Sequence, residues 1–276
     1  MNLNDYLNIR NYIQNHLGLE ISKEPRPLIS SKLSRFSQKH TIMNWSNFIN
    51  DLFENNLSED IFDDLIDIFV VGHTSFFRNR KQFELLKNII LPELTFNKTI
   101  NSETDLRIWS AGCSTGEEVY SILITLMEYF GEKYKDITCG VLATDISQKA
   151  LNQAAQGQYK RDETAINLRG LLTPYIKKIN HDTFEIKSKI KQEATFRKLN
   201  LSVPKYPFIN RFDIIFCRNV FLYFNGEHRK ANQLKIVKSL SSGGYLFLGD
   251  AEKFDFESFG LSRIGNGIYK NDNFVF

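Results

Sequence analysis

Apolar residues recur at three- and four-residue spacing through the first seventy positions, and the rhythm then changes. Leu3, Tyr6, Leu7, Ile9, Tyr12, Ile13 and Leu17 form one stripe that stops at Gly18, the pattern of an amphipathic helix with a glycine end. Pro25 and Pro27 punctuate a linker, and helical spacing resumes from Leu28 to about Lys39, over Trp45–Phe53 and over Ile61–Val71. No strand-like alternation interrupts these segments, so residues 1–71 read as a small all-α domain. Residues 72–105 then supply a linker and a further helix through Phe83, Leu86, Ile89 and Ile90 to Pro92.

From Leu106 onward, strands alternate with helices, the signature of an α/β, doubly wound sheet spanning residues 106–276. Leu106–Trp109 is the first strand, Thr138–Ala143 the second, and Phe212–Cys217 a buried parallel strand. Tyr245–Leu248 follows, and Leu261–Phe276 supplies a closing hairpin strand. Helices lie between, at Glu117–Met127, at Ser147–Ala155 with Ser147 as the N-cap, and at Arg229–Leu240. At about residues 158–203 the alternation is interrupted. There Phe184, Ile186, Ser188 and Ile190 alternate with Glu185, Lys187, Lys189 and Lys191, which predicts a half-buried strand with a basic outer face. Ala194–Leu201 reads as another strand, giving a small β insertion whose edge could accept an added peptide strand.

The chemistry centres on Ser110-Ala-Gly-Cys-Ser-Thr-Gly-Glu-Glu118, a small-residue loop between a strand and a helix. Such a loop lets backbone approach a ligand at the carboxyl end of a strand. It lacks the Lys of a phosphate loop, and Gly112-x-x-x-Gly116 is not the dinucleotide spacing. Two acids at the helix start disfavour phosphate and suit a ligand carrying positive charge. An ordinary βα turn remains the alternative for this stretch alone. Asp145 ends the second strand where a carboxylate can hold ribose hydroxyls, though it could instead cap the next helix. Arg218 and Asn219 end a later strand at the same level of the sheet. Thr74 reads either as a helix N-cap or as part of a functional segment with Arg78.

Composition narrows the classes. A net charge of +3 over 276 residues is too mild for a nucleic-acid binder. The cysteines Cys113, Cys139 and Cys217 fit neither a disulfide framework nor a metal site. No signal peptide or membrane-spanning run is present, so a cytoplasmic, non-membrane-spanning monomer is expected. Lys32, Arg35 and Lys39 share one helix face, which is either solvated or a docking surface for an acidic partner.

Taken together, Thr74-Ser-Phe-Phe-Arg78, Arg107–Glu118, Ala143-Thr-Asp145, Phe216-Cys-Arg-Asn-Val220 with Tyr223-Phe224, and Gly243-Gly244 resemble the chemotaxis receptor methyltransferase family, CheR. The resemblance implies a Rossmann-like class I methyltransferase sheet that uses S-adenosylmethionine, leaving S-adenosylhomocysteine. The implied reaction esterifies glutamate side chains of chemoreceptor cytoplasmic domains for adaptation. It further implies that Thr74 and Arg78 close over the cofactor, that Ala111, Gly112 and Glu117 meet it, and that Asp145 takes the ribose. Asn200 and Leu201 would flank the adenine, and Arg218 and Asn219 would line the pocket near the methyl. Arg78 and Tyr223 would be catalytic. Acidic methylation-site helices would meet the Lys32, Arg35, Lys39 face, and in some members the β insertion binds a receptor C-terminal peptide. This chain departs from the family's pattern at Gly72, often Asn, at Val119, usually Pro, and at Gly249-Asp-Ala-Glu252, commonly Gly-His-Ser-Glu. The competing readings are a non-catalytic cofactor-binding adaptor on the same fold, a base-modifying N-methyltransferase, and methylation of a soluble protein or small carboxylic acid. Arg218-Asn-Val-Phe-Leu lacks the prolines that the second of these would need.

Overall fold

A computed structural model describes residues 1–70, 72–100, 105–161 and 169–272. The expected domain boundary at Val71 and the end of the tail hairpin lie outside the described residues.

Four helices build the N-terminal region: α1 (Leu3–Leu17), α2 (Pro27–Lys39), α3 (Trp45–Phe53) and α4 (Glu59–Phe69). The Asn2 side chain and Asp5 cap α1 reciprocally, and Gly18 ends it in the left-handed conformation at φ 70°. Tyr6, Ile9, Ile13 and Leu17 are buried, the inner face of the predicted stripe. They pack with Leu33, Phe36, Leu52 and Leu65 into a core of their own. Each such buried side chain contributes roughly 1.5–3 kcal/mol.

The helix expected after Thr74 begins later. α5 (Arg80–Leu85) follows Asn79, held at φ 59°, and runs through a π-helical turn at Leu86–Ile90 into α6 (Leu91–Ile100). Thr74 therefore caps no helix and lies in the irregular stretch before α5.

The main sheet contains β1 (Asp105–Ala111), β2 (Thr138–Asp145), β6 (Ala194–Lys198), β7 (Phe212–Phe216), β8 (Leu240–Phe247), β9 (Leu261–Gly265) and β10 (Ile268–Asn271). Its order is β6-β2-β1-β7-β8-β10-β9; the first five strands run parallel, and β10 runs antiparallel to both of its neighbours, β8 and β9. The order reverses direction between β1 and β7. In doubly wound sheets that reversal opens a crevice for ligands outside the carboxyl ends of the strands. Helices α7 (Glu117–Phe130) and α8 (Gln148–Gln156), with the helix Gly226–Lys238, cover the sheet. Separate apolar cores on its two faces hold Ile108, Leu123 and Phe216 on one side, and Trp109, Ile215 and Leu246 on the other.

The insertion is narrower than the sequence suggests. A three-stranded antiparallel sheet is made by β3 (Gln158–Lys160), β5 (Thr183–Ile186) and β4 (Ile176–Lys178), in that order. Ala194–Lys198, expected to belong to it, instead pairs in parallel with β2 as the edge of the main sheet. The predicted strand through Ile190 stops at Ile186, and Ser188–Lys191 is a helical turn. Ile186 is buried at the end of β5, and the turn that follows buries Ile190 as effectively as a continued strand would.

The helical region is seated directly on the sheet. Asn200 Nδ2 donates to His16 O at 3.1 Å and Ser202 Oγ to Leu17 O at 2.6 Å. Glu20 N–H donates to Tyr223 O at 2.7 Å. Lys198 bridges Asp63 and Glu59 of α4 at 2.5 and 3.2 Å.

Candidate active site at the reversal of the sheet

A cavity of about 350 Å3 opens at the carboxyl ends of β1, β2 and β7. That volume lies within the range of about 300–1,000 Å3 typical of small-molecule sites. Its floor is the loop after β1. Gly112 sits at φ 78°, and its N–H, with that of Cys113, donates to Thr144 O at the end of β2. A Cβ at Gly112 would stand 2.5 Å from Val220 Cγ2, so the floor and the loop after β7 meet only because residue 112 has no side chain.

Asp145 closes one wall. Its carboxylate accepts from the Ser114 N–H at 2.8 Å and the Ser147 N–H at 3.0 Å. Burial raises its pKa above the ordinary carboxylate value, opposed by those backbone donors. Asp145 therefore braces the turn into α8, whose N-cap is Ser147, and lines the cavity. The Ser114 hydroxyl is buried without a partner among the described residues, and it too lines the cavity. Gly72 faces it closely: a Cβ there would lie 2.8 Å from Ser114 Oγ, so a side chain at this position would crowd that hydroxyl.

Arg218 and Glu118 form the opposite wall. Arg218 Nη1 donates to Glu118 Oε2 at 3.2 Å, with side chains only 3% and 11% exposed. Ser110 Oγ holds the other Glu118 oxygen at 2.8 Å. Burial raises the Glu118 pKa against the pull of Arg218. A second guanidinium nitrogen of Arg218 donates to Arg78 O, and its Nε is buried with no partner among the described residues. The segment that carries Arg78 thereby closes the front of the cavity, with Arg78 itself exposed and Nη1 donating to His73 O at 3.0 Å.

Of the residues expected here, Thr74, Arg78, Gly112, Asp145, Asn200, Leu201, Arg218, Asn219 and Tyr223 all line the one cavity. Ala111 and Glu117 do not. Ala111 is the last residue of β1 and its side chain belongs to the apolar core. Glu117 lines a neighbouring depression with Phe76 and Tyr159 and accepts from Thr115 Oγ1 at 2.6 Å. One step along a helix turns a side chain by about 100°, so Glu118, not Glu117, points at Arg218. Tyr223 is 38% exposed at the rim.

The helical region supplies wall residues that sequence reasoning did not place: Leu17, Leu19, Asp67, Phe69 and Val70. Asp67 reaches from α4 to the Ser147 hydroxyl, and burial raises its pKa. Of the three aligned cations on α2, Lys32 Nζ donates to Asp67 O and Ile68 O at the end of α4, and Lys39 pairs with Asp64 at 2.5 Å. Arg35 is exposed. Among the described residues, no His, Cys, Asp and Glu cluster could hold a metal, and no helix is long and apolar enough to cross a membrane.

Residues 72–264 match the family described as CheR methyltransferase, SAM binding domain. The chain is 40% identical over 242 residues to the chemotaxis protein methyltransferase of Borreliella burgdorferi, covering 87% of this chain and 84% of that one. It is 30% identical over 267 residues to the chemotaxis protein methyltransferase of Listeria monocytogenes, covering 96% of each. Against chemotaxis protein methyltransferase 1 of Pseudomonas aeruginosa it is 31% identical over 254 residues, covering 90% and 89%.

Proposed function

The chain belongs to the CheR methyltransferase family, and from that premise we propose that it transfers a methyl group from S-adenosylmethionine to glutamate side chains of chemoreceptor cytoplasmic domains. The observation that carries the reading is the cavity at the sheet reversal, to which the helical region and the ends of β1, β2, β6 and β7 contribute.

The cavity's own chemistry fits the cofactor. Asp145 and Glu118 are carboxylates that burial disfavours in the ionised form, and a cationic ligand beside them offsets that penalty. Asp145 has lone pairs left after its two backbone donors, suited to ribose hydroxyls. The unpartnered Ser114 hydroxyl and the bare Gly112 backbone leave polar groups and space for a ligand pressed against the floor. Bound there, S-adenosylmethionine supplies a methyl group already activated on sulfonium.

The protein's part is then positioning. A glutamate acceptor, with a pKa of about 4.3, is ionised at neutral pH and needs no general base. Arg78 at the mouth and Arg218 in the wall offer guanidinium donors that orient a carboxylate, and Tyr223 encloses it at the rim. Removing water from the carboxylate and holding it in line account for the acceleration. Glu118 keeps Arg218 oriented, while Glu117, to which the resemblance gives a cofactor contact, lies outside this cavity. For the receptor, we take Arg35 and the 64%-exposed Lys39 of α2 as the cations that meet acidic methylation-site helices. Lys32 is committed within the fold. The antiparallel edge of β3 or β4 remains the proposed seat of a receptor C-terminal peptide.

The test is methyl transfer to purified receptor fragments together with calorimetric cofactor binding. Arg78→Ala and Tyr223→Phe should each lower turnover more than they weaken cofactor binding. Cofactor binding without transfer by the unaltered protein would identify an adaptor instead.

A further inference from the structure

The turn Gly249-Asp-Ala-Glu252, one of the departures noted in the sequence, has no role in the site described so far. It follows β8 and lies against both segments that carry the proposed reactive residues. Glu252 is buried, and its carboxylate accepts four backbone N–H groups: Val220 at 2.9 Å and Phe221 at 2.7 Å on Oε1, Asn219 at 2.8 Å and Gly249 at 2.6 Å on Oε2. Two residues earlier, Asp250 Oδ1 accepts from Asn79 Nδ2 at 2.7 Å and from Asn266 Nδ2 at 2.7 Å. Asn79 immediately follows Arg78, and Asn219 immediately follows Arg218.

Both anchored residues share an uncommon backbone. Asn79 and Asn219 each sit at φ 59°, in the left-handed region that Asn enters more readily than other L residues. Gly249 makes room for this, since a Cβ there would lie 2.7 Å from Asn219 Nδ2 and 3.0 Å from its backbone nitrogen. Arg218 donating to Arg78 O ties the two segments directly. The turn, the segment before α5 and the loop after β7 thus brace one another on three sides.

We infer that Gly249–Glu252 is a positioning clamp: Glu252 holds the Arg218–Tyr223 loop and Asp250 holds the Arg78–Asn79 segment, fixing the two in register across the cavity mouth. Neither carboxylate lines the cavity; both act through the backbone or side chain of a neighbour of a reactive residue. A shift of about 1 Å in such groups can lower turnover a hundredfold without abolishing binding. Removing one acceptor from a four-donor carboxylate also leaves buried N–H groups unpaired.

The inference rests on the methyltransferase reading, and its test separates the two. Glu252→Gln, Asp250→Ala and Asp250→Asn are made in the full chain. Melting temperature, calorimetric affinity for S-adenosylmethionine, kcat and KM for a receptor fragment, and amide hydrogen exchange at residues 219–221 are then compared. Asp250→Ala should lower kcat by roughly three- to tenfold with cofactor affinity and melting temperature little changed, and Asp250→Asn, which keeps the accepting oxygen, should restore it. Glu252→Gln should lower kcat by roughly ten- to a hundredfold and speed exchange at Asn219, Val220 and Phe221. Unchanged kcat in folded Asp250→Ala, or equal loss in Asp250→Asn, overturns the Asp250 arm even if Glu252→Gln fails to fold. Unchanged exchange at 219–221 in Glu252→Gln overturns the other arm. If the unaltered chain binds cofactor but methylates no receptor, the activity reading fails, while the exchange measurement still decides the clamp.

Discussion

Adding one methyl group at Gly112 separates backbone strain from crowding in the floor of the cavity. Gly112→Ala places an L residue at φ 78°, which costs about 1–2 kcal/mol by itself. The new Cβ would also stand 2.5 Å from Val220 Cγ2, so the loop after β7 must move or the side chains must distort. Overpacking of that kind costs about 1–3 kcal/mol more. The total, about 2–5 kcal/mol, should appear in equilibrium urea unfolding. Gly243→Ala is the control: φ is 70°, yet nothing lies within 4 Å of the added Cβ. It carries the strain without the crowding, and the entropy change in the unfolded chain is common to both. Gly112→Ala should therefore be less stable than Gly243→Ala by about 1–3 kcal/mol. It should also bind S-adenosylmethionine at least roughly tenfold more weakly, because Val220 adjoins Asn219, while Gly243→Ala should bind as the unaltered chain does. Equal destabilisation by the two substitutions would refute the close approach of floor and loop.

Other outcomes follow from the same geometry. Asp145→Ala should weaken cofactor binding by roughly ten- to a hundredfold in calorimetry, the scale of a lost hydrogen bond to a charged group; an unaltered dissociation constant would remove Asp145 from the ribose role. Burial raises the pKa of Cys113 and Cys217 far above that of a free thiol and raises that of Cys139 as well. All three should resist a thiol reagent until the chain is unfolded, when three react. Because the folded values exceed the unfolded value of about 8.5, that contribution to stability is intact below pH ~8.5 and falls as pH rises beyond it, readable as a declining melting temperature. Lys198→Ala removes the ion pairs to Asp63 and Glu59 that join the helical region to the sheet edge. As these are partly exposed, stability should fall by only about 1 kcal/mol in urea titration.

The strands β1, β2, β7 and β8 were legible because parallel strands buried on both faces read as apolar runs between turn residues. The loop from Ser110 to Gly116 was legible because small residues there interrupt such a run. Asp145 and Arg218–Asn219 could be aligned with it because a doubly wound fold puts successive strand ends at one edge. What failed was orientation within an element. The resemblance gave the cofactor contact to Glu117, whereas Glu118, one step further along the helix, faces the cavity. Alternation from Phe184 to Ile190 did not reveal that the strand ends at Ile186, since a helical turn also buries Ile190. The contributions of Leu17, Asp67 and Phe69 were invisible because more than seventy residues separate them from Asp145. The packing of α4 on α8 brings Asp67 and Phe69 to the cavity, and the Ser202 hydrogen bond to Leu17 O brings the end of α1. The cations of α2 illustrate the converse: their shared face was readable, but Lys32's engagement with the end of α4 was not.

The central claim is esterification of receptor glutamates by groups lining the cavity at the sheet reversal. It is tested most directly by incubating the purified chain with tritiated S-adenosylmethionine and receptor-containing membranes, then treating the washed membranes with base. The account predicts label in the receptor band, released as volatile methanol by base and lost when Arg78→Ala replaces the unaltered chain. Label that is absent, or present but stable to base, would contradict it.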